Sequence, residues 1–409
     1  TAYRRQRQMC IRDSYTTVQA AINAAPANLT SPYLIFIAAG TYNECVYIPK
    51  TKPFIHLIGE NPDRVKIQFA LNRVEEQTNS DTWPYSIHNP NSPARLAGYT
   101  TDQNCVVLIK ATDVYLENIS IINLYGALKS RYDGGLGKGG QAEALCSHYD
   151  RLAMNNCKLV SFQDTWWTRF QKVNGTYGIC RAYVQNSWIE GSTDYIWGSG
   201  DVLIENSTFY NTGNGSFITA SRSNETDAYG YVMKDCTIDG EAGITAFSFG
   251  RQQSTSAKAV FINTALKMDI IDGHWTAGSA APALFGEYNT VDKNNQVIST
   301  GDMTVGSGSS QFTAKVLSAD EAAGYTYENI IAREGWNPKQ YMQTPGTTMA
   351  TLEGTTLSWN AIDGAAGYLI FVNGVYLAQT TETSVSVTTA ADGVYTVRGV
   401  GHYGSISAE

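Results

Sequence analysis

A polar residue, usually asparagine, stands at the head of a short alternating strand six times between residues 118 and 263. The instances are Asn118 (N-I-S-I), Asn156 (N-C-K-L), Asn186 (N-S-W-I), Asn206 (N-S-T-F), Asp235 (D-C-T-I) and Asn263 (N-T-A-L). The intervals are 38, 30, 20, 29 and 28 residues, with no long helical pattern between them. Internal repeats of this length are the mark of stacked architectures. The shortest interval is one bare rung of a parallel β-helix, and the longer ones are rungs carrying inserted loops. Each strand then pairs with its equivalent in the next rung, roughly 4.8 Å away. Equivalent asparagines stack in a turn and satisfy backbone groups buried there. A β-sandwich with Asn-rich turns is the competing architecture, but it does not explain six copies in one orientation. Charged residues make up only 16% of the chain, and Gly, Thr, Asn, Ser and Tyr are abundant, which favours strands and turns over long helices.

The flanking text fits around this solenoid. Ser14–Ala25 has Val18, Ala21, Ile22 and Ala25 at helical spacing and predicts one short helix, capped by Ser14 or Thr16. Strands are predicted at Tyr33–Gly40 and Ile55–Glu60. Val74–Gly98 and Lys129–Gly140 read as surface loops of the kind that build clefts on rigid scaffolds. Residues 1–13 are basic without an apolar stretch, so they read as a non-native or unstructured leader, with any secretion signal lost. The solenoid is expected over residues 14–342, a linker over 343–349 and a small module over 350–409. In that module Thr356–Asn360, Gly367–Leu377, Ser384–Val387 and Gly393–Val400 alternate as strands, with an Asn373-Gly374 hairpin turn. Its early Trp and the position of Tyr395 resemble a fibronectin type III sandwich with a short last strand. The fold class expected is thus all-β, a parallel β-helix followed by a small β-sandwich. Seven cysteines with no C-x-x-C pair, several in apolar runs, read as buried free thiols. No apolar run is long enough to span a membrane, and a net charge of −8 argues against nucleic acid.

The repeat gives two aspartates a common address. Asp164 lies eight residues after Asn156, and Asp194 lies eight after Asn186. They occupy one position on successive rungs and should sit side by side. Two carboxylates so close resist joint ionisation, so one serves as an acid while the other stays anionic and can attack. Aspartate after a β-helix strand is also an ordinary turn residue; the matched pair beside aromatics is what points to chemistry. Gln163 precedes Asp164, and Gln141 and Arg251 fall in stretches leading into marker strands. Glutamine amides can donate to an oxyanion, and an arginine can orient a carboxylate. Trp166, Trp167, Tyr195, Trp197 and Trp275 are candidate stacking platforms for sugar rings.

Five segments carry a family resemblance: G-T-Y-N-E at Gly40–Glu44, Q-A-E-A-L at Gln141–Leu145, Q-D-T-W-W at Gln163–Trp167, G-S-T-D-Y-I-W-G at Gly191–Gly198 and F-G-R at Phe249–Arg251. In this order they resemble the signature segments of the pectin methylesterases, over about Ser14 to Pro338. The resemblance implies a right-handed parallel β-helix that removes methyl esters from polygalacturonate without metal or cofactor. By position it implies that Asp194 is the nucleophile, Asp164 the general acid and then base, Gln141 and Gln163 the oxyanion hole, Arg251 the holder of Asp194, and Trp197 a subsite contact. Glu44 reads as structural. A secreted or cell-surface monomer acting on methylated homogalacturonan, with no membrane span, is the corresponding expectation.

One position departs. The family usually continues G-R-P-W, whereas this chain has Gly250-Arg251-Gln252-Gln253, so a sugar-site Trp is missing and Trp275 is the candidate to compensate. Polygalacturonases are expected to carry G-H-G and R-I-K, and neither occurs. Pectate lyases hold Ca²⁺ with clustered carboxylates, which this pair lacks. A serine esterase needs a G-x-S-x-G elbow, which is absent, and His56, His88, His148, His274 and His402 lie outside the matched segments. The remaining alternatives are an esterase or thioesterase on an atypical acyl substrate, and a non-catalytic pectin-binding solenoid.

Overall fold

The computed structural model describes residues 15–71, 105–127, 140–169, 175–388 and 393–408. The leader, the two long predicted loops except Gly140, Cys10 and His88 lie outside these residues. Successive coils contribute strands to three sheets of eleven, eight and seven strands, parallel throughout except for the pairing of Met303–Val305 with Phe312–Val316 in the first. The repeat markers lie between the eleven- and eight-stranded sheets. Asn118, Asn156, Asn186, Asn206, Asp235 and Asn263 all have φ between 49° and 58°. That left-handed conformation is costly for most L-residues and tolerated by Asn and Asp, which is why the repeat is written in those two residues. Asn289, at φ 53°, is a seventh copy that the strand pattern did not flag. The side chains form a partial ladder: Asn156 Nδ2 donates to Asn118 Oδ1 at 2.7 Å, Asn263 Nδ2 to Asp235 Oδ1 at 2.8 Å, and Asn289 Nδ2 to Asn263 Oδ1 at 3.0 Å. Asn186 breaks it by donating instead to Asn155.

Inward-facing Ile, Val, Leu and Phe fill the coils as one continuous core. Its open end is closed by the helix Val18–Ala24, whose Ile22 is buried. The cap is Thr17, whose hydroxyl accepts from the Ala20 N–H, rather than Ser14 or Thr16. Glu44 accepts from the N–H groups of Val18 at 2.8 Å and Gln19 at 3.0 Å. A carboxylate at a helix N-terminus satisfies orphan donors and complements the dipole, which agrees with a structural role for this residue. Cys45, Cys105, Cys146, Cys157, Cys180 and Cys236 are buried free thiols, as expected.

After the last coils, the helices Ala319–Ala323 and Tyr327–Ile330 lead into two three-stranded antiparallel sheets. The chain from Tyr327 to Ile406 lays Ile330, Ile331, Trp336, Tyr341, Leu369, Phe371, Val400 and Ile406 against the outer face of the eleven-stranded sheet. There they meet Tyr115, Ala153, Tyr183, Leu203 and Val232, which are successive partners in one column. Polar contacts add to this seam. Ser405 Oγ donates to Glu117 Oε2 at 2.8 Å, and His56 Nδ1 lies 2.8 Å from the Tyr403 carbonyl. Residues 343–349 are tied in as well, through a bridge from Thr347 to Arg398.

Candidate active site

The site lies on the outer face of the seven-stranded sheet, built from Glu143–Ser147, Trp166–Thr168, Ile196–Gly198, Ser216–Ser221 and Phe247–Gln252. Trp166 pairs with Ile196, and Trp167 with Trp197. The same offset sets Asp164 beside Asp194, as the repeat required, and the Asp164 N–H donates to the Thr193 carbonyl at 3.0 Å. Both aspartates are left-handed, at φ 60° and 52°, so each marks a sharp turn into its strand. They are turn residues and candidate chemical groups at once. Both are nearly buried, at 3% and 5% exposed.

The second motif is flanked by glycines for steric reasons. A Cβ on Gly191 would lie 2.3 Å from the Tyr195 side chain. Gly198 has φ 114°, and a Cβ there would collide with the Thr168 carbonyl. Gln141 bridges Gln163, and Gln163 bridges Thr193, so the two glutamines stand on adjacent coils next to the aspartates. Their amides can point donors at one oxygen above Asp194 and Asp164.

Arg251 comes from two coils further on. Its outward column runs Trp197, Ala220, Arg251, and the small Ala220 leaves room for the long side chain to lean back. Arg251 Nε donates to Asp194 Oδ1 at 3.0 Å and Nη2 donates to Oδ2 at 2.6 Å. A bidentate pair of this kind fixes both position and charge. The hydrogen bonds from Arg251 to Asp194 push the guanidinium pKa up, outweighing the opposite effect of burial. Phe217, which the sequence reading missed, lies under the guanidinium with its ring centroid 4.8 Å from Cζ. The signal was available: Ile196 pairs with Thr219, and the same offset sets Phe217 opposite Asp194.

The aromatic candidates divide. Trp167 and Trp197 face outward and stack at 4.6 Å with their planes 7° apart. Trp166, Tyr195 and Trp275 are corrected: they are 0%, 0% and 1% exposed, so no sugar can stack on them. Trp166 is the inward neighbour of Trp167 in a strand whose side chains alternate. Tyr195 packs in the core, with its hydroxyl 3.3 Å from Asn211 Oδ1. Trp275 stacks on Phe285 inside the coils at 4.3 Å, so it does not replace the ring missing at Gln253, which is exposed and polar.

Among the described residues no group of His, Cys, Asp and Glu is placed to hold a metal ion. His56 and His274 serve packing and pairing, the latter with Glu287 at 2.6 Å, and His402 is exposed. A cavity of about 320 Å³ lies between the first coil and the C-terminal sheets, lined by Tyr33, Phe36, Leu369 and Tyr376. It includes none of the chemical groups above.

The family model for pectinesterases matches residues 11–334. The chain is 27% identical over 327 residues to a protein described as probable pectinesterase A from Neosartorya fischeri, covering 79% of this chain and 85% of that one. It is 28% identical over 280 residues to pectinesterase 31 from Arabidopsis thaliana, covering 67% and 78%. Pectin methylesterase from carrot has the same fold, with a TM-score of 0.60 at 21% identity, covering 80% of this chain and 92% of that one. A match over most of the coils, together with the paired aspartates those coils align, places this chain in the pectinesterase family.

Proposed function

We propose that this protein hydrolyses the C6 methyl esters of methylated polygalacturonate, releasing methanol and leaving pectate. The observation that carries the assignment of roles is asymmetry within the aspartate pair: Arg251 grips Asp194 with two hydrogen bonds, while Asp164 stands on the neighbouring coil. Asp194 is therefore the anion. Its carboxylate oxygen attacks the C6 carbonyl carbon, and the tetrahedral oxyanion accepts hydrogen bonds from the amides of Gln141 and Gln163. Collapse expels the methoxy oxygen, which takes the Asp164 proton and departs as methanol. The acyl group then rests on Asp194 as an anhydride. Asp164, now a carboxylate, removes a proton from water as that water attacks the same carbon. Collapse frees the Asp194 carboxylate and the product acid, which loses its proton to solvent, and leaves Asp164 reprotonated. Trp167 and Trp197, stacked on each other, supply an apolar ridge against which pyranose rings pack.

Methanol release across pectins of graded methylation tests the reading, and a wild-type protein that releases none from any of them would overturn it. Phe217 is assigned the positioning of Arg251. Replacing it with Leu is expected to lower kcat by roughly two- to thirtyfold, the range of a cation–π contact, with KM nearly unchanged, while Phe217→Tyr retains the wild-type rate. A rise in KM alone in the Leu variant would instead make Phe217 a substrate contact.

We further infer that the C-terminal sheets are a fibronectin type III-like module over residues 350–409, joined to a catalytic solenoid over 14–342. The strand order supports this, with Ala350–Glu353, Thr356–Trp359 and Ser384–Ser386 in one sheet and Ala365–Val372 between two partners in the other. So do buried Trp359 and a Tyr395 hydroxyl that donates to the Thr388 carbonyl at 2.7 Å, the geometry of a tyrosine corner. Asn373 and Gly374, at φ 51° and 72°, form the predicted hairpin turn. A polymer substrate found in cell walls places the working protein outside the cell, acting as a monomer. No helix of the described residues is long and apolar enough to cross a membrane.

A further inference from the structure

The strand that carries Arg251 is the last of the seven-stranded sheet. One edge of Phe247–Gln252 pairs with Ser216–Ser221, which seats Arg251 beside Ala220. The other edge meets no further strand of that sheet among the described residues. An irregular segment, residues 270–278, closes it instead. The Ile271 N–H donates to the Phe247 carbonyl at 3.0 Å, the Phe249 N–H to the His274 carbonyl at 2.9 Å, and the Thr276 N–H to the Gly250 carbonyl at 3.0 Å. The Gly278 N–H donates to Gln252 Oε1 at 2.9 Å. A Cβ on Gly278 would lie 2.7 Å from the Gln252 carbonyl oxygen, so the segment lies hard against the strand. Arg251 thus sits between two residues, Gly250 and Gln252, that this segment holds. The aim of its guanidinium at Asp194, two coils back, depends on how firmly an edge strand is set.

The segment is itself anchored at two adjacent residues. Trp275 stacks on Phe285 with ring centroids 4.3 Å apart, and His274 Nδ1 lies 2.6 Å from Glu287 Oε1. Phe285 and Glu287 are alternate residues of Leu284–Tyr288, so one face of that strand receives both anchors. The Trp275 contact is ordinary core packing. The His274–Glu287 contact is not. Glu287 is 0% exposed, stands in register with the core residue Phe261, and has a second carboxylate oxygen with no partner among the described residues. Burying a carboxylate in this way is costly even when it is paired. His274 also has a left-handed backbone, at φ 58°, directly after Gly273 at φ 77°. Glycine would meet that turn with less strain. Two unfavourable features therefore meet in one contact, and local strain that the surrounding structure sustains is found where function needs it. The contact leads towards the site. The His274 carbonyl receives the Phe249 N–H two residues before Arg251, and Ser248 Oγ donates to the same oxygen at 3.4 Å. The imidazole also stands edge-on to the Phe249 ring, at 6.0 Å and 88°.

We propose that the His274–Glu287 pair is a positioning device for the reaction. It fixes segment 270–278 against the strand of Arg251, and through Arg251 it sets the aim of the Asp194 carboxylate. This rests on the esterase reading and adds to it two residues that act without touching substrate.

The test uses the full chain, with methanol release from methylated pectin as the activity and the melting temperature as the measure of fold. His274→Gly/Glu287→Gln removes the link while easing the left-handed turn and leaving no buried charge. This double variant is expected to melt within a few degrees of wild type, to lose about tenfold in kcat and to keep its KM. His274→Asn tolerates the turn and brings an amide nitrogen close to the place of Nδ1, so it is expected to recover most of the rate. In an Arg251→Lys background the double change should cost no more than about twofold further, because both act through one arginine. A folded double variant with wild-type kcat, a loss that multiplies with that of Arg251→Lys, or a double variant that fails to fold overturns the positioning role and leaves the esterase standing. A wild-type protein that releases no methanol from any pectin removes the esterase reading, and the proposal with it.

Discussion

Asp194→Asn is expected to abolish methanol release from methylated pectin, lowering kcat by on the order of 10⁴- to 10⁶-fold, as loss of a nucleophile does elsewhere. The fold should survive. Asparagine accepts the left-handed backbone at φ 52° as readily as aspartate, and the chain itself uses it in that conformation at its repeat turns. Arg251 keeps one amide oxygen as acceptor, and its side chain is 35% exposed, so water replaces the second. The melting temperature is therefore expected to stay within a few degrees of wild type. Asp164→Asn provides the contrast. It removes a proton donor rather than the attacking group, and a loss of about 10²- to 10⁴-fold in kcat is expected on the methyl ester. An aryl ester leaves without protonation, so the acylation burst of Asp164→Asn on such a substrate should recover towards wild type while Asp194→Asn stays inert. Equal inactivity of both variants on the aryl ester would overturn the division of roles.

Arg251→Lys is expected to cost on the order of 10²-fold in kcat with little change in KM, because lysine keeps the charge but cannot make the two parallel bonds that aim Asp194. It also gives up the flat contact with the Phe217 ring. If Arg251 acts only through Asp194, the double variant Asp194→Asn/Arg251→Lys should be no slower than Asp194→Asn alone, the non-additivity of groups working as one unit. A full-rate Arg251→Lys enzyme, or losses that simply multiply in the double variant, would mean that the arginine has another task.

The solenoid was legible in sequence because one conformational need, a left-handed turn at the same place in seven successive coils, is met by only a few residue types. The aspartate pair followed from the same count, since two positions eight residues past such turns must be neighbours. Glutamine and arginine positions came through matched segments rather than through geometry. The aromatics were misread where a period of two was not applied inside a three-residue strand: of Trp166 and Trp167, only one can face out. Trp275 was misread because it follows a turn with no repeat marker to fix its side. Phe217 carries no motif, and its meaning appears only when the rung count is carried one coil past Asp194. The missing tryptophan at Gln253 was seen correctly, and the position is exposed and polar, with Trp275 buried inside the coils rather than taking its place.

The apolar seam on the eleven-stranded sheet bears on how this molecule comes apart. A solenoid held only by nearest-neighbour contacts frays from its ends, coil by coil, because each coil knows only the next. Here the chain after residue 326 runs across His56, Tyr115, Ala153, Tyr183, Leu203 and Val232, partners in one column on six successive coils. It therefore works as a splint along the axis: no coil within its span can unwind without first releasing it. The face opposite the chemistry thus sets the rigidity with which Asp164, Asp194 and Arg251, drawn from separate coils, are kept in register.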